Sequence, residues 1–210
     1  DVNLIHDTRV FSDALDRLPL PAGVGHAYNP LAYMRRAHEQ YLDRFVPGTY
    51  EDVIAGEYTS APASRPYLIL GMNPGPWGMV QTGVPFGDVA NASTILGYKR
   101  GDQIPAPDPT HLMVHPKRPV QGFACARGEA SGERLWGGLS RVWAGGPADV
   151  LRDAFTMNYC PLAYFAADGQ GTNVTPDAFT KSGPYRDREY AKALDTLCDG
   201  YLVRVIEAME

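Results

Sequence analysis

What the sequence lacks is informative. It holds no apolar run of roughly eighteen residues or more, so no membrane-spanning helix is expected. It holds no CxxC pair. Its 3 cysteines, Cys125, Cys160 and Cys198, lie far apart, which argues against a zinc site or an iron–sulfur cluster and leaves reduced thiols in a cytosol-like compartment as the simple reading. It has no low-complexity tract and no shortage of aromatic residues, so disorder is not expected. Neither GxGxxG nor GxxxxGK(S/T) occurs, which removes the common dinucleotide and P-loop readings. The first residues, DVNLIHDTRVF, combine no basic stretch with an apolar one, so no secretory signal is expected there. A surplus of positive charge is also missing. The net charge of −5 argues against a general nucleic-acid binder, although residues 99–141 run against the trend with 7 Lys/Arg and 4 Asp/Glu.

What remains is a chain of 210 residues, 44% hydrophobic, which suits a single domain over residues 1–210 with a real core. The spacing of Leu31, Met34, His38, Tyr41, Leu42 and Phe45 predicts a helix over 29–45, with Asn29 as N-cap and Pro30 at its first position. Residues 49–57 read as a short helix capped by Thr49. Residues 66–72 and 155–162 read as strands whose apolar residues do not alternate, so both faces are expected to be buried, as in a parallel sheet. A helix over 131–143 should turn Leu135, Trp136, Leu139, Val142 and Trp143 inward. The Pro-rich segment 99–122 reads as surface loop with a short hairpin. A long helix over 186–210 carries the stripe Tyr190, Leu194, Leu197, Tyr201, Leu202, Val205, Ile206 and Met209. Helices alternating with strands point to an α/β fold. A crossover helix returns the chain to another strand, so a sequence finishing on a helix is expected to stop before the fold does.

The stretch GMNPGPWGMVQTGVPFG, residues 71–87, follows the first strand and is too rich in Gly and Pro to continue as strand or helix. Ligands of open α/β sheets bind beyond the carboxyl ends of the strands. Both expected strands have an asparagine there, Asn73 and Asn158. A carboxamide offers donors and an acceptor, so two of them can read a planar ligand. Glycines let main chain approach it, and Phe86 is placed to stack on it. Each residue has a plainer reading: Asn-Pro-Gly is an ordinary turn, Asn158 can be a satisfied core amide, and Phe86 can be core.

The 71–89 stretch resembles, at almost every position, the first active-site motif of the single-strand-selective monofunctional uracil-DNA glycosylases, family 3 of the uracil-DNA glycosylase superfamily; Trp77 stands where a Phe is more usual. Similarity extends to YNP (28–30), HPKRPV (115–120), SGERLWG (131–137), NYCPL (158–162) and NVTP (173–176), so it spans roughly residues 24–205. The resemblance implies a three-layer α/β/α fold with a short parallel sheet. It implies a monofunctional hydrolase that cleaves the N-glycosidic bond of uracil, and of oxidised pyrimidines such as 5-hydroxymethyluracil, in single- and double-stranded DNA, and so begins base excision repair. It implies no cofactor, no metal and no membrane partner, a monomer, and a place in the cytoplasm or nucleoid of a bacterium or the nucleus of a eukaryote.

Position by position, the resemblance implies that Asn73 orients the attacking water. Phe86 stacks on the flipped base, and Asn158 reads the N3–H and O4 edge of uracil. Met72 supplies main-chain contact near the base, while Gly75 and Met79 form the wall around C5. Lys117 and Arg118 are candidate DNA-phosphate contacts, with solvated surface as the plain alternative. The family also carries a later His-Pro-Ser-Pro motif whose His bonds O2 of the leaving uracil. This sequence reaches Glu210 without it, so a C-terminally truncated domain is expected. The alternatives to a working glycosylase are a uracil- or damage-binding module with little catalysis, and a glycosylase with a shifted base preference.

Overall fold

The structure is a computed structural model and describes residues 2–44, 67–112, 114–143, 150–151 and 153–210. Asn3 accepts from the His6 N–H (3.0 Å) to start α1, Leu4–Asp16, which buries Leu4, Ile5, Phe11 and Leu15. Strand β1, Val24–Tyr28, leads into two short helices, α2 (Pro30–Tyr33) and α3 (Arg35–Asp43). Asn29 and Pro30 begin α2 as expected. The expected single helix is broken at Met34, however, because the Tyr33 carbonyl accepts from the Asp108 N–H (2.8 Å) on a crossing loop rather than continuing the helical ladder. The helix expected over 49–57 lies outside the described residues.

Strand β2 is Tyr67–Gly71. The loop after it contains α4, Met79–Thr82, and leads to α5, Val89–Leu96, capped by Asp88. Residues 99–112 and 114–121 are largely irregular; in place of the expected hairpin, the described segment has a 3₁₀ turn at Pro109–His111, with another just beyond at Gly122–Ala124. Helix α6, Ala130–Val142, turns Trp136 into the core, whereas Val142 is 73% exposed and does not face inward. Then come β3 (Ala154–Asn158), β4 (Ala163–Ala166), the two-residue β5 (Asn173–Val174) and α7 (Arg188–Met209). Asp187 caps α7 by accepting from the Tyr190 N–H (3.0 Å). Helix α7 packs on α1, with Tyr201 stacked on Phe11 (centroids 4.4 Å apart) and bonded to the Thr8 hydroxyl. Ile206 of its expected stripe is exposed.

The described strands form two sheets. β2 and β3 pair in parallel, with Gly71 opposite Asn158. β1, β4 and β5 form an antiparallel sheet in the order β1-β4-β5, an element the sequence reading did not contain. The fold is therefore mixed α/β with a short parallel sheet. Strand β3 is buried throughout, as its non-alternating apolar run predicts. Strand β2 is not: Tyr67 and Leu70 are about half exposed, so its apolar run does not signify burial on both faces. The strand expected over 155–162 stops at Asn158 because the chain turns through Cys160 and Pro161 into β4.

Candidate active site

Pairing of the two parallel segments continues past the strand ends. The Tyr159 N–H donates to the Gly71 carbonyl (2.8 Å) and the Cys160 N–H to that of Met72 (2.9 Å). This extension brings residues 71–73 alongside 158–160 and places both asparagines at the carboxyl end of the parallel sheet. Met72 is half exposed, and its carbonyl is committed to the Cys160 N–H.

Gly71 is where the parts converge. A Cβ there would collide with the Phe86 ring and lie 2.8 Å from Asn158 Oδ1, so ring and amide both cover its Cα. Asn158 is buried, and its Nδ2 donates to the Met79 sulfur (3.2 Å). Met79 is itself buried, so its clearest role here is to orient the Asn158 amide. Asn73 is partly exposed. Its Nδ2 makes long contacts to the carbonyls of Leu162 (3.5 Å) and Pro74 (3.4 Å), and among the described residues nothing donates to its Oδ1. That oxygen is an open acceptor on the loop that leaves Gly71, two residues further along the chain.

Phe86 has φ +55°, the left-handed region that costs a non-glycine residue on the order of 1–2 kcal/mol. The surrounding turn holds it there. The Thr82 hydroxyl donates to the Gly87 carbonyl (2.6 Å) and accepts from the Val84 N–H (3.2 Å), while the Gly87 N–H donates to the Val84 carbonyl (2.9 Å). Further braces come from outside the loop. Buried Gln81 donates to the carbonyls of Pro76 and Pro119 and accepts from the Gln121 N–H. Tyr33 donates to the Val80 carbonyl (2.7 Å). His38 Nδ1 donates to the Gly83 carbonyl (2.7 Å), and burial lowers its pKa to about 4, so the ring is neutral. One carboxylate oxygen of Asp88 caps α5, and the other accepts from the Glu129 N–H (3.2 Å).

Two participants escaped the sequence reading. The Glu129 carboxylate lies against the glycine loop, its Oε2 2.7 Å from where a Cβ on Gly75 would sit; Ser131 bonds Oε1, but buried Oε2 has no hydrogen-bond partner among the described residues. Gly75 thus admits this carboxylate beneath the loop. Arg127 places its guanidinium 4.0 Å from the centroid of the Trp77 ring. Of the two expected phosphate contacts, Arg118 shares this ring. Arg118 sits 5.7 Å from the Trp77 centroid and donates through Nε to the Gly171 carbonyl (2.8 Å). Lys117 is exposed, with its ammonium bonded to Gln170. Among the described residues no cluster of three or more His, Cys, Asp or Glu could hold a metal. All 3 cysteines are free and buried.

An aromatic ring and a carboxamide thus meet at the carboxyl ends of two parallel strands of an α/β protein, the end at which open α/β sheets bind their ligands. The crystal structure of wild-type Pedobacter heparinus SMUG2 shares the fold, with a TM-score of 0.50 over 98% of this chain and 70% of that one, at 17% identity. No protein-family profile matches the chain. In sequence it is 37% identical over 195 residues to the single-strand selective monofunctional uracil DNA glycosylase of Mus musculus, covering 93% of this chain, and 36% identical over 198 residues to that of Bos taurus, covering 94%. The chain is thus a relative of the single-strand selective monofunctional uracil DNA glycosylases along nearly all of its length. It spans about three fifths of theirs, 59% and 61%.

Proposed function

We propose that this chain is the base-recognising part of a monofunctional uracil-DNA glycosylase that hydrolyses the N-glycosidic bond of uracil, and of related oxidised pyrimidines, in DNA. The observation that carries the reading is the convergence of Phe86 and Asn158 over Gly71, with Asn73 two residues further along the same loop. A base must leave the helical stack before its glycosidic bond is reachable. Phe86 supplies a face for the extruded ring to stack on. With Nδ2 turned to Met79, Asn158 Oδ1 is the atom facing the space above Gly71 and accepts from uracil N3–H, while the second Nδ2 hydrogen remains for O4. Cytosine has a bare N3 and an amino group at position 4, so it leaves those groups unpaired, typically a loss of about 1–3 kcal/mol each. Cleavage passes through an oxocarbenium-like sugar. Asn73 Oδ1 orients the water that captures it, which a neutral amide can do because the leaving group has largely departed by then. The relatives named for single-strand selectivity support single-stranded DNA as a substrate.

The test is alkali-induced nicking of a labelled oligonucleotide containing one uracil, with Asn73→Ala beside the unaltered chain. Nicking that Asn73→Ala largely abolishes is the expected result. Equal nicking by both removes the water-positioning role. No nicking, with retained binding of free uracil that Asn158→Asp abolishes, leaves base recognition without hydrolysis.

A further inference from the structure

We propose that Trp77, Arg118 and Arg127 form a phosphate clamp at the lip of the site, gripping the backbone of a single DNA strand beside the nucleotide whose base is read. The identity of the strand rests on the glycosylase reading; the clamp itself rests on geometry. Two guanidiniums gather on one indole, Arg127 at 4.0 Å from the ring centroid and Arg118 at 5.7 Å, with Arg118 also 5.8 Å from the Phe165 ring. Indole is the best aromatic partner for a cation, and a stacked guanidinium keeps its N–H edge free for two oxygens of a phosphate.

Among the described residues no carboxylate pairs with Arg127. Among the described residues Arg118 commits only its Nε, to the Gly171 carbonyl, and that bond fixes the direction of its remaining N–H groups. Glu129, two residues after Arg127, turns its carboxylate under the glycine loop instead of toward the guanidinium. Cations collected on one ring without counter-charge repel each other, and a bound phosphate relieves that repulsion. Trp77 lies four residues beyond Asn73 on the same loop, so a strand held here is held next to the base site.

The experiment is fluorescence anisotropy of a short single-stranded oligonucleotide that contains no uracil, titrated at several salt concentrations between about 50 and 200 mM. Each single-strand phosphate contact contributes about 0.7 to the slope of log K against log salt. Arg127→Gln and Arg118→Gln should each lower the slope by about that amount and weaken binding about fivefold near 0.1 M salt. Lys192→Gln, an exposed charge on α7, serves as the control and should leave the slope unchanged. Trp77→Leu should weaken binding, and Trp77→Phe should restore most of it. The proposal is overturned if the double arginine variant binds like the unaltered chain, or if Lys192→Gln lowers the slope as much as Arg127→Gln. Because the probe carries no uracil, failure of the glycosylase reading shows only in the nicking assay and leaves this result standing.

Discussion

Asn158 and Phe86 owe their positions to buried partners: a thioether, a hydroxyl, and carbonyls taken up by His38, Tyr33 and Gln81. Arg127 owes its position to the face of one indole at the protein surface. The first set is shielded from solvent and works through shape and hydrogen-bond direction. The second stands in water, where salt screens its charge. The proposed base reader, which ionic strength should barely touch, thus shares one molecule with a rim that ionic strength should govern.

The strongest way to break the reader is through its brace. His38 is neutral when folded, with its pKa lowered to about 4, while in the unfolded chain it titrates near 6.5. Above that value both states are neutral and nothing is lost. Between about 6.5 and 4 only the unfolded state takes up the proton, so stability falls as pH falls, by on the order of 3 kcal/mol at pH 4. Denaturant midpoints measured across this range should drop steeply, and His38→Gln should remove that part of the slope. Next comes Gly71→Ala, whose added methyl displaces Phe86 or Asn158. Uracil excision should fall about a hundredfold, as misplaced reacting groups typically cause, with the salt slope of DNA binding unchanged. A changed slope would mean that reader and rim are one structure. The smallest effect is Phe86→Ala, which should lower kcat/KM about tenfold through lost stacking. An unaltered rate would return Phe86 to a packing role.

Much of this site was legible because it is local. The Gly- and Pro-rich loop announces itself, and an asparagine at each strand end needs only parallel pairing to be brought together; the register of Gly71 against Asn158 supplies it. The rest depends on partners distant in sequence. The break at Met34 is set by a loop residue, Asp108, that no helical period reveals. The antiparallel β1-β4-β5 sheet is made of short strands, one of two residues, too brief to carry a pattern. Glu129 reads as one more surface acid until the glycines it lies against are seen. Trp77 was visible as a departure from the family motif, and its meaning emerges only with Arg127 upon it.

The parallel pairing of β2 with β3 also bears on how the chain acquires its shape. The two strands are separated by more than eighty residues, among them α4, α5 and α6. Closing so long a loop costs chain entropy before any contact rewards it, and topologies of this kind fold slowly. The helices can form from neighbours in sequence, but Asn73 and Asn158 are strangers until that closure occurs. The meeting of Gly71 with Asn158, on which the proposed base reading depends, is therefore expected late in folding, after helices that local contacts can form.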